Sequence, residues 1–194
     1  DPGLIALLLL FAVTMFAGAT LLFVVQPMVG KMILPLLGGT PAVWSTCMVF
    51  FQAALLAGYA YAHVSTAWLG VSPRQSLAHL AVLAIPLGIL PLGVDPSWLL
   101  AGGANPIAGV LLLLTVSVGL PFFVVSATAP LIQQWFSRTR HPKARDPYFL
   151  YAASNLGSML ALLGYPTLIE PRLHLRGEGW LTQTRLWSLG YLVL

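Results

Sequence analysis

The sequence predicts an all-α fold, a polytopic membrane helical bundle, and three observations predict it. Hydrophobic residues make up 58% of the 194 positions and charged residues only 7%, whereas a soluble domain carries about 25% charged residues. Long windows hold no charge at all: Pro2 to Gly30, Met32 to Pro73, Gln75 to Val94, Pro96 to Ser137 and Pro147 to Ile169. Each is as long as the ~20 residues that span a bilayer, or longer. These runs are continuous, whereas a membrane β-barrel shows short alternating ones. The expectation is about five full transmembrane helices plus a truncated sixth, forming a single domain over residues 1–194 that is a fragment of a longer protein.

Segment one is Leu4 to Val25, with Thr14 and Gly18 one turn apart and able to form a close helix contact. It is too long for a signal peptide and lacks a small-residue cleavage pattern. A broken or re-entrant stretch is expected next. Pro27, Pro35 and Pro41 each remove a backbone donor, and Gly30, Gly38 and Gly39 loosen the chain between them. Lys31 is the one charge there. Non-helical backbone at membrane depth must be covered by protein or line a cavity.

Segment two, Ala42 to His63, carries Ala54, Gly58 and Ala62 four apart, a small-residue face for close packing. Trp44, Tyr59 and Tyr61 lie near its ends, where aromatic side chains anchor at an interface. Segment three, Gln75 to Leu92, should be kinked or ended by Pro86 and Pro91. Asp95-Pro96 and Gly102-Gly103 then mark a loop.

Segment four, Pro106 to Ala129, begins on a proline suited to a first helical turn, and Pro121 should kink it. A basic loop follows, R-T-R-H-P-K-A-R-D from Arg138 to Asp146. Segment five, Pro147 to Ile169, has Asp146 as its expected N-cap and a second small face at Ala153, Gly157 and Ala161. The loop from Glu170 to Thr184 includes Arg172, Arg176 and Glu178, and segment six starts near Arg185.

Five spans would put the N-terminus, Arg74 and the Arg138–Arg145 loop on one side, with Lys31, Arg172, Arg176 and Arg185 on the other. The basic loop is the strongest local positive-inside signal, so it and the N-terminus are expected in the cytoplasm. The net charge of +4 fits such loops, and no basic run is interleaved with stacking aromatics. Nucleic acid is therefore not an expected partner. Lipid bilayer is, together with other membrane subunits. Cys47 is the only cysteine, so neither an intrachain disulfide nor a cysteine-cluster metal site can form.

Three longer runs and one short one stand out together. The first is Q-P-M-V-G-K-M-I-L-P-L-L-G-G-T-P-A-V-W-S-T-C-M-V-F-F-Q-A-A-L-L-A-G-Y-A-Y-A-H, from Gln26. The second is P-F-F-V-V-S-A-T-A-P-L-I-Q-Q-W-F, Pro121 to Phe136, and the third spans Asp146 to Pro171. Together with the short W-S-L-G-Y from Trp187 to Tyr191, these runs resemble the membrane region of bacterial fused MFS/spermidine synthase proteins. The resemblance implies a transporter-like domain in a bacterial inner membrane that handles a small solute such as a polyamine. It also implies a soluble aminopropyltransferase-like domain with a Rossmann-type fold, of which this sequence holds no G-x-G-x-x-G fingerprint. No catalytic residue is carried over, and no cofactor is expected. Any such enzymatic activity would reside in that other domain. The link S-T-A-W-L-G-V-S-P-R-Q lacks the acidic-basic signature of the transporter class.

Among individual residues, Lys31 is the sharpest candidate. A cation in a proline-broken apolar segment can bind an oxyanion, or it can snorkel to the interface. Gln26, Gln52 and Asn155 can bind a ligand or bond between helices. Glu170 sits at the C-terminal end of segment five, where the helix dipole disfavours an anion, so Lys31 or Arg172 is its expected partner. Arg138, Arg140, Lys143 and Arg145 are expected to contact lipid or a partner protein. His63 and His79 have no carboxylate near in sequence, and no metal site is expected. Asp95, Asp146 and Glu170 are too few and too peripheral to attract a polycation, so an uncharged or anionic solute fits better. Two functions remain open: a transporter-like domain, or a structural subunit packing against other membrane proteins.

Overall fold

The computed structural model describes residues 2–103, 105–177 and 181–194; Glu178 lies outside them. The described chain is all-helical, with no strand among the described residues. Helix α1 spans Pro2–Leu37, α2 Pro41–Leu69 and α3 Pro73–Ala84, and a 3-10 turn Ile85–Ile89 follows α3. The short α4 is Ser97–Ala101. Helices α5 (Pro106–Leu114) and α6 (Leu120–Ser137) are joined by a π turn, Thr115–Gly119. Helices α7 (Tyr148–Gly164) and α8 (Glu170–Arg172) are joined by another, Tyr165–Ile169. Helix α9 is Gln183–Val193.

Among the described residues three helices are long and apolar enough to cross a membrane: Pro2–Leu37, Pro41–Leu69 and Pro106–Ser137. Segment three is shorter than expected. At 12 residues, α3 reaches about 18 Å, well short of the ~30 Å hydrocarbon core. Pro86 sits in the 3-10 turn that replaces its continuation.

The stretch after the first span also differs from expectation. It is not broken at Pro27 or Pro35, both of which lie inside the continuous α1. Met28, Val29, Met32 and Ile33 are all buried in the main hydrophobic core, and their packing fixes the axis through each proline. Gln26 Nε2 donates to the Leu22 carbonyl at 3.2 Å, adding a side-chain bond beside the interrupted ladder. The chain breaks only at Gly38, with φ of 74°, a conformation glycine adopts without strain. Thr40 then caps α2, its hydroxyl accepting from Val43 N–H at 3.4 Å, with Pro41 in the first turn.

Helix α1 packs against α6, α7 and α9, and α2 packs against α5 and α6. Both expected small-residue faces form contacts. A Cβ at Gly58 would meet Ser126 Oγ, and would lie 2.7 Å from the Phe123 carbonyl oxygen of α6. A Cβ at Gly157 would run into the Phe16 carbonyl of α1. Where a kink is expected near Pro121, a π turn stands just before the proline within one continuous helical run. One extra residue per turn there relieves the crowding between a proline ring and the preceding turn.

Phe11 packs against Phe136 with the rings tilted and 5.2 Å between centroids, so the N-terminal half of α1 and the basic loop lie at one end of the bundle. Trp135 Nε1 donates to Gln75 Oε1 at 2.8 Å, which brings the start of α3, beside Arg74, to that end too. Lys31 and Glu170 lie at the other.

Candidate functional site

Two proline-interrupted helices build the site. In α1, Pro27 offers no N–H to the Phe23 carbonyl one turn earlier. In the α7 run, Pro166 offers none to the Leu162 carbonyl, and the π turn Tyr165–Ile169 spans this point. Phe23, Pro27, Leu162 and Pro166 all line one cleft of about 390 Å3. Trp44, Cys47, Met48 and Phe51 of α2 close its other side. Trp44 lies across Gly30, where a Cβ would stand 3.1 Å from the indole ring.

The charged groups of this cleft are Lys31 and Glu170. They form a direct ion pair, and each side chain stays about one-third exposed, at 35% and 37%. The expected pairing of Glu170 thus falls to Lys31. Arg172 instead turns back on its own helix: Nη1 donates to the Thr167 carbonyl at 3.2 Å and to the Leu168 carbonyl at 3.5 Å. That is the usual service of a cation at a helix C-terminus. Gln26 joins Lys31 and Glu170 in the lining, together with Tyr165, whose hydroxyl donates to Gln183 Oε1 at 2.9 Å. Gln183 in turn donates from Nε2 to the Leu173 carbonyl at 2.8 Å, so the cleft floor is anchored to the start of α9.

Asn155 is not brought into this site. It is exposed on α7, and its backbone carbonyl accepts from Ser158 Oγ. Arg138, Arg140, Lys143 and Arg145 form an exposed basic loop at the opposite end, with Lys143 Nζ 6.0 Å from the centre of the Phe149 ring. Asp146 does not cap α7 as expected. The helix starts one residue later than predicted, at Tyr148, so Pro147 takes the cap position and supplies no side-chain bond. At the turn Pro142–Arg145, His141 Nδ1 accepts from Lys143 N–H at 3.0 Å.

His63 and His79 do not meet at a shared ligand position. His63 is exposed beside Gln134. His79 is 1% exposed, sits between the Tyr61 and Trp135 rings, and has Nε2 3.4 Å from Thr128 Oγ1. Thr128 itself donates to the Val124 carbonyl, so it accepts from His79 Nε2–H, and His79 Nδ1 keeps a lone pair without a partner among the described residues. Gln75 is equally buried, bonding Thr66 Oγ1 at 2.7 Å and Trp135. Sequence reading missed this polar cluster. Its only signal is a glutamine and a histidine four apart on α3, facing one way.

No family model, curated protein or solved structure matches the chain.

Proposed function

We propose that this chain is an integral membrane helical domain, transporter-like and without catalytic residues of its own, that handles a small solute in the Lys31–Glu170 cleft. The observation that carries this reading is the half-open ion pair set among apolar walls where two proline-interrupted helices meet. Charges at membrane depth are costly and mark binding or transport paths. Discontinuous or distorted helices at a solute site are the recurring transporter arrangement. The likeness to fused MFS/spermidine synthase proteins supports the same reading. Every cleft residue except Phe23 falls within the first and third of the family-like runs.

In this proposal α1, α2 and the α5–α6 run cross the membrane, and the stretch between α2 and α5 carries the chain back across, from Gln75 beside Trp135 to Val94 beside Arg176. The α7 run crosses as well, with 17 residues of α7, five of the π turn and three of α8. The basic loop and the N-terminal end of α1 face the cytoplasm of a bacterial inner membrane, following the positive-inside rule. The alternative of a structural subunit is less favoured. The small-residue faces that would recruit a partner helix are spent within the chain, Gly58 on α6 and Gly157 on α1.

The test is uptake into liposomes reconstituted with the purified protein. We expect uptake of at least one solute from a broad panel, reduced about tenfold or more by Lys31→Ala. No uptake across the panel would remove the transport reading.

A further inference from the structure

The composition of the cleft narrows the solute class, and the argument rests on the solute-cleft reading above. Its two ionic groups carry opposite signs, touch each other and sit among Phe23, Met48, Phe51 and Leu162. A ligand bearing one charge must part the ion pair to engage it. It then leaves the other side chain without a counter-charge beside apolar walls, a cost that its remaining one-third exposure reduces but does not remove. A ligand with an ammonium and an oxyanion at short spacing pays no such penalty. Its oxyanion takes Lys31, its ammonium takes Glu170, and the local charge remains zero. The exposed Trp44 indole beside the pair adds a face for the cationic end.

We infer that the Lys31–Glu170 cleft selects small zwitterions, an ammonium and a carboxylate or phosphate in one molecule, over single ions. This revises the sequence-level preference for an uncharged or anionic solute. The shared chemistry is present both in free solutes and in the phosphoethanolamine headgroup of a lipid.

Equilibrium binding to the purified full chain tests it, with γ-aminobutyrate and glycerophosphoethanolamine as zwitterions, butylamine as the cation and butyrate as the anion. The zwitterions should bind at least about tenfold tighter than either single ion. Lys31→Met should invert the order toward butylamine, and Glu170→Gln toward butyrate, which loss of a merely structural ion pair would not do. Should either single variant fail to fold, the exchanged pair Lys31→Glu with Glu170→Lys keeps both charges and should retain the zwitterion preference. Repeating the titration in nanodiscs with and without phosphatidylethanolamine separates the sources. Competition by that lipid supports a headgroup occupant, and its absence supports a free solute. Single ions binding as tightly as the zwitterions, or no probe binding at all, would overturn the inference. Zwitterion binding without liposome uptake would leave it standing and sink the transport reading. Uptake of an uncharged solute without zwitterion binding would do the reverse.

Discussion

At the residue scale, His79 and Gln75 make a controlled comparison, because they lie one turn apart and are equally buried. Gln75 satisfies two partners, Thr66 and Trp135. Removing it strands the Trp135 N–H in partly buried surroundings, which costs on the order of 1 kcal/mol. His79 makes one long bond, to a threonine that has another partner, and it carries an unmatched nitrogen. Gln75→Leu should therefore lower the thermal unfolding midpoint in detergent, whereas His79→Phe should leave it unchanged or raise it. Equal losses for the two would contradict this account. Neither role was legible in the sequence. Trp135 and Thr128 lie 60 and 49 positions away, and the four-residue spacing of Gln75 and His79 on α3 does not say what they face. The Lys31–Glu170 pair was legible, because a lone cation in a proline-rich apolar stretch and an anion at the wrong end of a helix each require a partner.

At the scale of elements, glycine spacing was the most informative signal. Ala54, Gly58 and Ala62 fall on one face of α2, and α6 approaches there so closely that the Phe123 carbonyl and the Ala127 amide nitrogen lie 2.7 and 3.1 Å from the position of a Gly58 Cβ. Those are backbone atoms, which cannot swing aside. Gly58→Leu should cost on the order of 1–3 kcal/mol or more through overpacking. Gly157→Leu should act similarly through the Phe16 backbone of α1. The same change at Gly164, where a Cβ would meet nothing within 4 Å, serves as the control. Thermal stability of the three variants in one detergent decides it: a Gly164 variant as unstable as the others would refute the packing explanation. Proline was the misleading signal. Read locally, Pro27 and Pro35 end a helix, but the buried Met28, Val29, Met32 and Ile33 hold α1 in line through them. Local rules describe what the backbone loses, while the gain from burial depends on helices far along the chain.

At the scale of the whole molecule, charge-free windows identified all three of the long apolar helices. Hydropathy alone overestimates segment three, whereas Pro86, expected to kink or end it, lies in the 3-10 turn that follows the end of α3 at Ala84. The end-to-end arrangement gives a direct expectation. In a Cys47→Ala background, single cysteines at Arg74 and Arg138 should react with a membrane-impermeant maleimide from the same side of sealed vesicles. A cysteine at Thr40, at the far end of the 29-residue α2, should react only from the other. Labelling of all three from one face would rule out α2 as a span.

The Lys31–Glu170 contact also imposes an order in time. Lysine 31 leaves the ribosome with α1, whereas its carboxylate arrives only after α2, the α5–α6 run and α7 have been made. Throughout that interval the ammonium has no internal partner, and an unpaired cation keeps the C-terminal part of a helix near water or headgroups. The ion pair that joins the first helix to the end of the α7 run can therefore close only after nearly all of the chain between them has been made.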